Sequence, residues 1–396
     1  MIRRPPRSTP SNSSAASDVY KRQVLIPYPK RLIWFVIEGR DEHNILYPVF
    51  VRRIDPFDVN IIKENPNKND RIFTIIKNGD PHDKVDFLFI AEGYKVEDFD
   101  KFKKDAKRFT GVLFRVEPYK SHKDKFNVYG IFRPSMERGV DQPTKGIFKN
   151  TVLSASYNAL DSPRYLLIDD TKTLRDIASS VPYDALIVIA NTTRYGGGGI
   201  YNNYTIFTSD DERSESIFMH EFGHGFGNLA DEYYNPKDTF SYFFPPDREP
   251  HEPNITALLD PENVKWKHLL SPGIKIPTKW GKEEIEELQI ERQDISRKMN
   301  SEISKLKNKG ASEQELENIR RKFGEKIKKI NEKINQVRDK YRSELEGKIG
   351  VFEGAGYTSK GIYRSEFNIG MFNGKKNSYG PVSEEAILKI INHLSN

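Results

Sequence analysis

Apolar residues recur along this chain with three different spacings, and each spacing predicts a different kind of element. From about residue 24 to 62 the chain reads VLIPYPKRLIWFVIEG and then YPVFVRRIDPFDVNII. These short β-rich runs are broken by Pro, Gly and Asp, so they predict strands, read as the remnant of a small N-terminal β-domain over 24–70. ENPNKND at 64–70 suits a linker or turn. From near residue 84 the pattern changes. VDFLFIA (85–91) is a continuous apolar run, the mark of a strand buried on both faces. VEDFDKFKKDAKRFTGVLF (96–114) places Phe99, Phe102, Ala106, Phe109, Val112 and Leu113 at helical spacing. FNVYGIF (126–132) and YDALIVIA (183–190) predict strands, and TLRDIASSV (173–181) a helix. Strands alternating with helices predict an α/β sheet with right-handed crossovers. The next stretch, TRYGGGGIYNNYTIFTS, lacks the Lys-Ser/Thr and the following helix of a phosphate loop. It predicts a flexible loop leading to an edge strand at TIFTS (205–209).

Residues 282 to 346 follow the third spacing. Ile285, Leu288, Ile295, Met299, Ile303 and Leu306 step by three, four or seven, as do Leu316, Ile319, Phe323, Ile327, Ile330, Ile334, Val337, Tyr341 and Leu345. Nearly everything between is polar or charged. The pattern predicts an inserted antiparallel coiled-coil hairpin, with Gly310 ending the first helix and Ser312 and Glu315 capping the second. Its arms would be roughly 40 and 50 Å long at about 1.5 Å per residue. Such a hairpin is either an arm for an unknown partner or substrate, or a tolerated surface insertion; the second is favoured because surface insertions cost little. GVFEGAGY (350–357), GIYRSEFNIGMFNG (361–374) and the amphipathic helix SEEAILKIINHL (383–394) return the chain to the domain that the hairpin interrupts. That domain is therefore expected in two parts, 84–275 and 349–396.

Composition narrows the picture. A chain of 396 residues with 36% hydrophobic content, 24 Phe and 19 Tyr can fill a substantial core, as one large domain or two to three smaller ones. The absence of cysteine excludes disulfides, thiolate metal sites and a cysteine nucleophile. A net charge of +6 is a small surplus, and the hairpin's Lys and Arg alternate with Glu as on a solvated face, so no nucleic-acid partner is expected. No apolar run of 18 residues predicts a membrane span. The first 23 residues, MIRRPPRSTPSNSSAASDVYKRQ, lack the apolar core of a secretory signal and resemble translated sequencing-library adapter. They are expected to be a non-native or disordered tail, with the natural N-terminus and any signal peptide missing.

The chemistry concentrates at SESIFMHEFGHGFGNLADEYY (214–234). The first part fits a helix that follows Ser-Asp-Asp-Glu, good N-terminal capping and dipole chemistry, and is weakened and ended by Gly225, Gly227 and Asn228. Residues four apart on a helix lie one above the other, so His220 and His224 can offer two imidazole nitrogens to one tetrahedral Zn²⁺. Glu221 is turned about 100° from His220, which makes it a base beside the metal rather than a ligand. A zinc-bound water has its pKa lowered to about 7, and Glu221 can take its proton and later hand it to a leaving amine. A third ligand is needed. Asp231, seven residues after His224, is the first candidate, with Glu232 its rival.

HEFGHGFGNLADEYY is similar to the active-site segment of the immunoglobulin-A peptidase family of zinc metallopeptidases, which are metzincin-like. FLFIAEGYKVEDFDKF resembles the family's first strand and helix, EPYKSHKDKFNVYGIFRPSMERGVDQP its next segment, and VFEGAGYTSKGIYRSEFNIGMFNG its stretch after the catalytic helix. The resemblance covers about 84–275 and 349–396. It implies a metzincin-like α/β peptidase domain with a mixed sheet and an active-site helix, preceded by an all-β domain. It also implies one zinc ion per chain, protein or peptide substrates, and a secreted or cell-surface location. By the same resemblance Met371 matches the methionine of the turn under the zinc, where it would pack rather than coordinate. Ala230 stands where metzincins proper place a third histidine, which leaves that ligand to Asp231. Two features depart from the family: this chain has none of the cysteines that the family often carries near the methionine turn, and its hairpin at 282–346 is unlike the family core.

Overall fold

The structure is a computed structural model, and it describes residues 26, 29–59, 61, 70–234, 236, 243–368, 371–372 and 377–395. The tail read over the first 23 residues lies outside the described residues, as does the linker read over 64–70 apart from Asp70. The chain divides into two compact units: Met1–Asn228 with Gly374–Ser378 and Ile387–Asn396, and Leu229–Asn373 with Tyr379–Ala386.

In the first unit, β1 (Ile33–Arg40) and β2 (Leu46–Ile54) form an antiparallel hairpin with a register shift after Ile37. A mixed six-stranded sheet follows. It contains β3 (Arg71–Ile76), β4 (Val85–Glu92), β5 (Phe126–Phe132), β8 (Ala185–Ala190), β9 (Gly197–Ile200) and β10 (Tyr204–Thr208), in the order β3-β5-β4-β8-β10-β9. The pair β6 (Ala155–Tyr157) and β7 (Leu166–Ile168) forms a separate two-stranded sheet that packs into the same core. The four central strands are parallel, and β3 and β9 run antiparallel at the two edges. All eight residues of β4 are buried. Its alternate side chains serve two faces, as the period of two requires. Phe87 and Phe89 meet Phe222 and Phe218 of α3 (Ser214–Gly225), while α1 (Phe99–Leu113) adds Phe109 beside Phe218. Leu88 and Ile90 pack on the other side in the cluster that holds Leu174 and Ile177 of α2 (Thr171–Ala178). The sheet thus has helices on both faces. Ring pairs such as Phe109–Phe207, 4.5 Å between centroids, each add about 0.5–1.5 kcal/mol beyond area burial.

Two expectations need correction. The sheet begins at Arg71, not near residue 84: RIFTII is an edge strand too short and too exposed to stand out as an apolar run. The glycine run is not a loop before an edge strand. Gly197–Ile200 is itself the edge strand, and Tyr204–Thr208 lies inside, fully buried between β8 and β9.

A buried carboxylate ties the end of β4 to the following segment. Glu92 accepts hydrogen bonds from the Thr151 hydroxyl (2.5 Å) and from the N–H groups of Leu153 (2.9 Å) and Ala155 (3.0 Å). Burial pushes its pKa up to about 7, against the lowering effect of those bonds. The folded protein therefore holds a proton that the unfolded chain has lost, and stability from this group falls as pH climbs from 4.5 through about 7. Glu92→Gln should abolish that slope. Denaturant unfolding at about pH 5 and about pH 8 should show the wild type losing stability relative to the variant, by up to on the order of 3 kcal/mol. A gap that widens in favour of the wild type as pH rises would reverse the sign.

The second unit carries a three-stranded antiparallel sheet in the order β11-β13-β12, formed by β11 (Ile255–Thr256), β12 (Ile349–Ala355) and β13 (Thr358–Glu366). Between β11 and β12 run α4 (Lys282–Asn308) and α5 (Glu313–Leu345). Gly310 takes φ +75° at the turn, and Ser312 and Glu315 form the reciprocal capping box. The seam is narrow: on α4 only Lys282 and Ile285 are buried, on α5 six residues. The roots of these helices are not separate from the unit. Ile285, Val337 and Leu345 share a core with Trp280, Phe352 and Phe367. Lys282, 5% exposed at its side chain, is ion-paired with Glu286 (3.1 Å) and Glu353 (3.2 Å). The chain ends in α6 (Pro381–Leu394).

Candidate metal centre

Helix α3 is built from the sequence up. Asp211 takes the Arg213 N–H on its carboxylate (2.9 Å) and the Ser214 N–H on its carbonyl (3.0 Å), so the acidic stretch organises the turn into the helix. The residue at the cap position itself is Arg213, and its side chain makes no capping bond. Ile217, Phe218, Met219 and Phe222 are buried, while His220, Glu221 and His224 are only half-buried. The helix ends at Gly225, and the turn away from it uses a left-handed residue, φ +53° at Asn228 rather than at Gly227. Asparagine tolerates that conformation better than most side chains.

The imidazole rings of His220 and His224 face one another at 4.8 Å between centroids. One nitrogen of each and a carboxylate oxygen of Asp231 lie within 4.8 Å of one another, a group able to hold a metal ion. Glu221 is the adjoining carboxylate on α3. Glu232 is placed otherwise: it is buried, and its Oε1 accepts a hydrogen bond from Asn254 Nδ2 (3.1 Å). Burial pushes its pKa up to about 8, partly offset by that bond and by the charge of Arg364. Met371 is buried within the second unit.

The glycine strand accounts for the closeness of β9 to this helix. A Cβ at Gly199 would overlap the carbonyl of Glu221 and stand 2.8 Å from His224 Cβ. One at Gly197 would stand 2.8 Å from Glu221 Cγ. Gly199→Ala should therefore push α3 off the strand, with a cost of about 1–3 kcal/mol in thermal unfolding and reduced metal content. Gly111→Ala, where a Cβ meets nothing, is the matched control and should be neutral or slightly stabilising. Equal behaviour of the two variants would refute the contact argument.

Asn254 and Tyr357 also belong to the centre's surroundings, and neither stands out in the sequence. Tyr357 donates its hydroxyl to Asp231 Oδ2. Only the glycine run offered a signal, as four residues without side chains beside a motif-bearing helix.

No curated protein matches this chain. The family description IgA Peptidase M64 matches residues 73–391, beginning within β3 and ending within α6. With that span covering most of its length, the chain belongs to the IgA peptidase M64 family, a family of peptidases.

Proposed function

We propose that this protein is a zinc-dependent endopeptidase, with one Zn²⁺ per chain held by His220, His224 and Asp231 and with Glu221 as its general base. The observation that carries the reading is the convergence of two imidazole nitrogens and one carboxylate oxygen within 4.8 Å. Ligand atoms on one tetrahedral zinc at about 2.0–2.1 Å are about 3.3 Å apart, so side-chain rotation brings this donor set onto a single ion. Two nitrogens and one oxygen are also the donor types of a catalytic zinc site that keeps a fourth position open. Zinc bound there supplies Lewis acidity, acidifying water and polarising a peptide carbonyl.

The chain's own groups do the proton work. Glu221 takes a proton from the attacking water as its oxygen adds to the scissile carbonyl carbon. It returns that proton to the amide nitrogen as the C–N bond breaks, releasing a carboxylic acid and an amine. The substrates are proteins or peptides, and the family likeness supports action outside the cell. The α4–α5 hairpin is read as a coiled-coil insertion whose root is anchored in the second unit and whose outer part is a solvated arm. The β1–β2 hairpin is read as the remnant of an N-terminal β-domain.

Metal analysis of the purified protein beside a casein digest tests the reading. About one zinc per chain is expected, with digestion abolished by a chelator and restored by zinc. Stoichiometric zinc without any digestion would instead mark a binding module that has lost catalysis.

A further inference from the structure

Asp231 lies on a stretch, 229–233, that belongs to no helix or strand. Two residues distant in sequence hold it. Asn254, with no exposed surface, accepts the Ala230 N–H on Oδ1 (2.8 Å) and donates Nδ2 to the Ala230 carbonyl (2.9 Å) and to Glu232 Oε1 (3.1 Å). One amide thus grips both sequence neighbours of Asp231. Tyr357, in the β12–β13 turn, donates its hydroxyl to Asp231 Oδ2. The backbone is fastened to the same turn. Gly356 N–H bonds the Asp231 carbonyl (2.9 Å), and Tyr357 N–H bonds the Tyr233 carbonyl (3.0 Å).

Tyr357 is an unexpected residue for its place. It takes φ +63°, in the left-handed region that glycine occupies freely and a bulky side chain does not. The turn already uses glycine in that region at Gly354 and Gly356. Its ring is flanked by Tyr233 (5.4 Å) and Phe243 (5.7 Å), which fixes the direction of the hydroxyl. Strained backbone at a non-glycine residue persists where the surroundings over-determine it, commonly beside a functional group.

We infer that Tyr357 is a positioning residue for the metal site, aiming the Asp231 carboxylate through its hydroxyl while Asn254 holds the Ala230 backbone before it and the Glu232 side chain after it. The inference deepens the zinc reading above and rests on it. Tyr357 acts through Asp231, and such outer-shell partners are worth about 10–100-fold in metal affinity.

Tyr357→Phe keeps the ring, its flanking contacts and the backbone strain, and removes only the hydroxyl. Zinc affinity, measured by competition with a chromophoric chelator, should fall about 10–100-fold. The visible absorption of the cobalt(II)-substituted protein should change as the ligand carboxylate reorients. A merely structural hydroxyl would lower the melting temperature of the metal-free protein and leave both metal readouts at wild-type values. That result overturns the inference. A wild-type protein that takes up no stoichiometric zinc overturns instead the reading of the site on which it rests.

Discussion

Glu221→Gln should lose peptide hydrolysis by at least about 10²–10⁴-fold, the contribution of general-base catalysis alone, while keeping its metal and its fold. The substitution is nearly isosteric. Glu221 is half-buried at the surface of α3, and the Phe218 and Phe222 contacts that seat the helix on the sheet are untouched. Melting temperature and metal stoichiometry should therefore match the wild type. The loss should appear in kcat rather than in KM, because a general base acts in proton transfer and not in substrate affinity. A variant that digests casein at near wild-type rate would rule out Glu221 as the base.

Asp231→Ala should lower zinc affinity far more than Glu232→Ala. Taking a quarter share of the about 10–16 kcal/mol contributed by a four-coordinate structural zinc, loss of one ligand costs on the order of 10²–10³-fold. Glu232 has a different partner, Asn254 Nδ2, so Glu232→Ala should reach the metal only through the backbone and cost less, within the about 10–100-fold of outer-shell changes. Its removal also leaves Asn254 still clasping Ala230 through two bonds. Zinc stoichiometry and affinity of the two variants, measured side by side, decide the matter. Full affinity in Asp231→Ala with loss in Glu232→Ala would transfer the ligand role to Glu232.

Much of the centre was legible in the sequence because it is local. His220 and His224 are four residues apart on one helix, and helical geometry alone puts them on one face. The same holds for the capping box of Ser312 and Glu315 and for the strand at 85–91, where a continuous apolar run has few other places to go. The sequence left Asp231 and Glu232 as rivals, since adjacent residues in an irregular stretch differ only in the direction their backbone gives them. That direction depends on hydrogen bonds across 24 residues to Asn254 and across 126 residues to Tyr357.

The same distinction explains where the structure departs from the sequence pattern. A glycine run has no side chains to report burial, so period and propensity return a loop. Its place as an edge strand follows from the approach of β9 to α3, where no Cβ fits at Gly199. RIFTII does not stand out in the sequence because an antiparallel edge strand shows little continuous apolar character, and its pairing with β5 is a non-local fact. The hairpin's periodicity predicted its two helices but not the depth of their roots, since heptad spacing reports only the seam between the arms. What joined Lys282 to Glu353, and Ile285 to Phe352, was the folding of β12 back against the start of α4. Sequence alone determined most of the helices and buried strands and the shared helix face of His220 and His224, because these depend on residues within a few turns of one another. Tertiary structure alone decided which carboxylate lies beside them, because that choice is made by contacts between segments far apart in the chain.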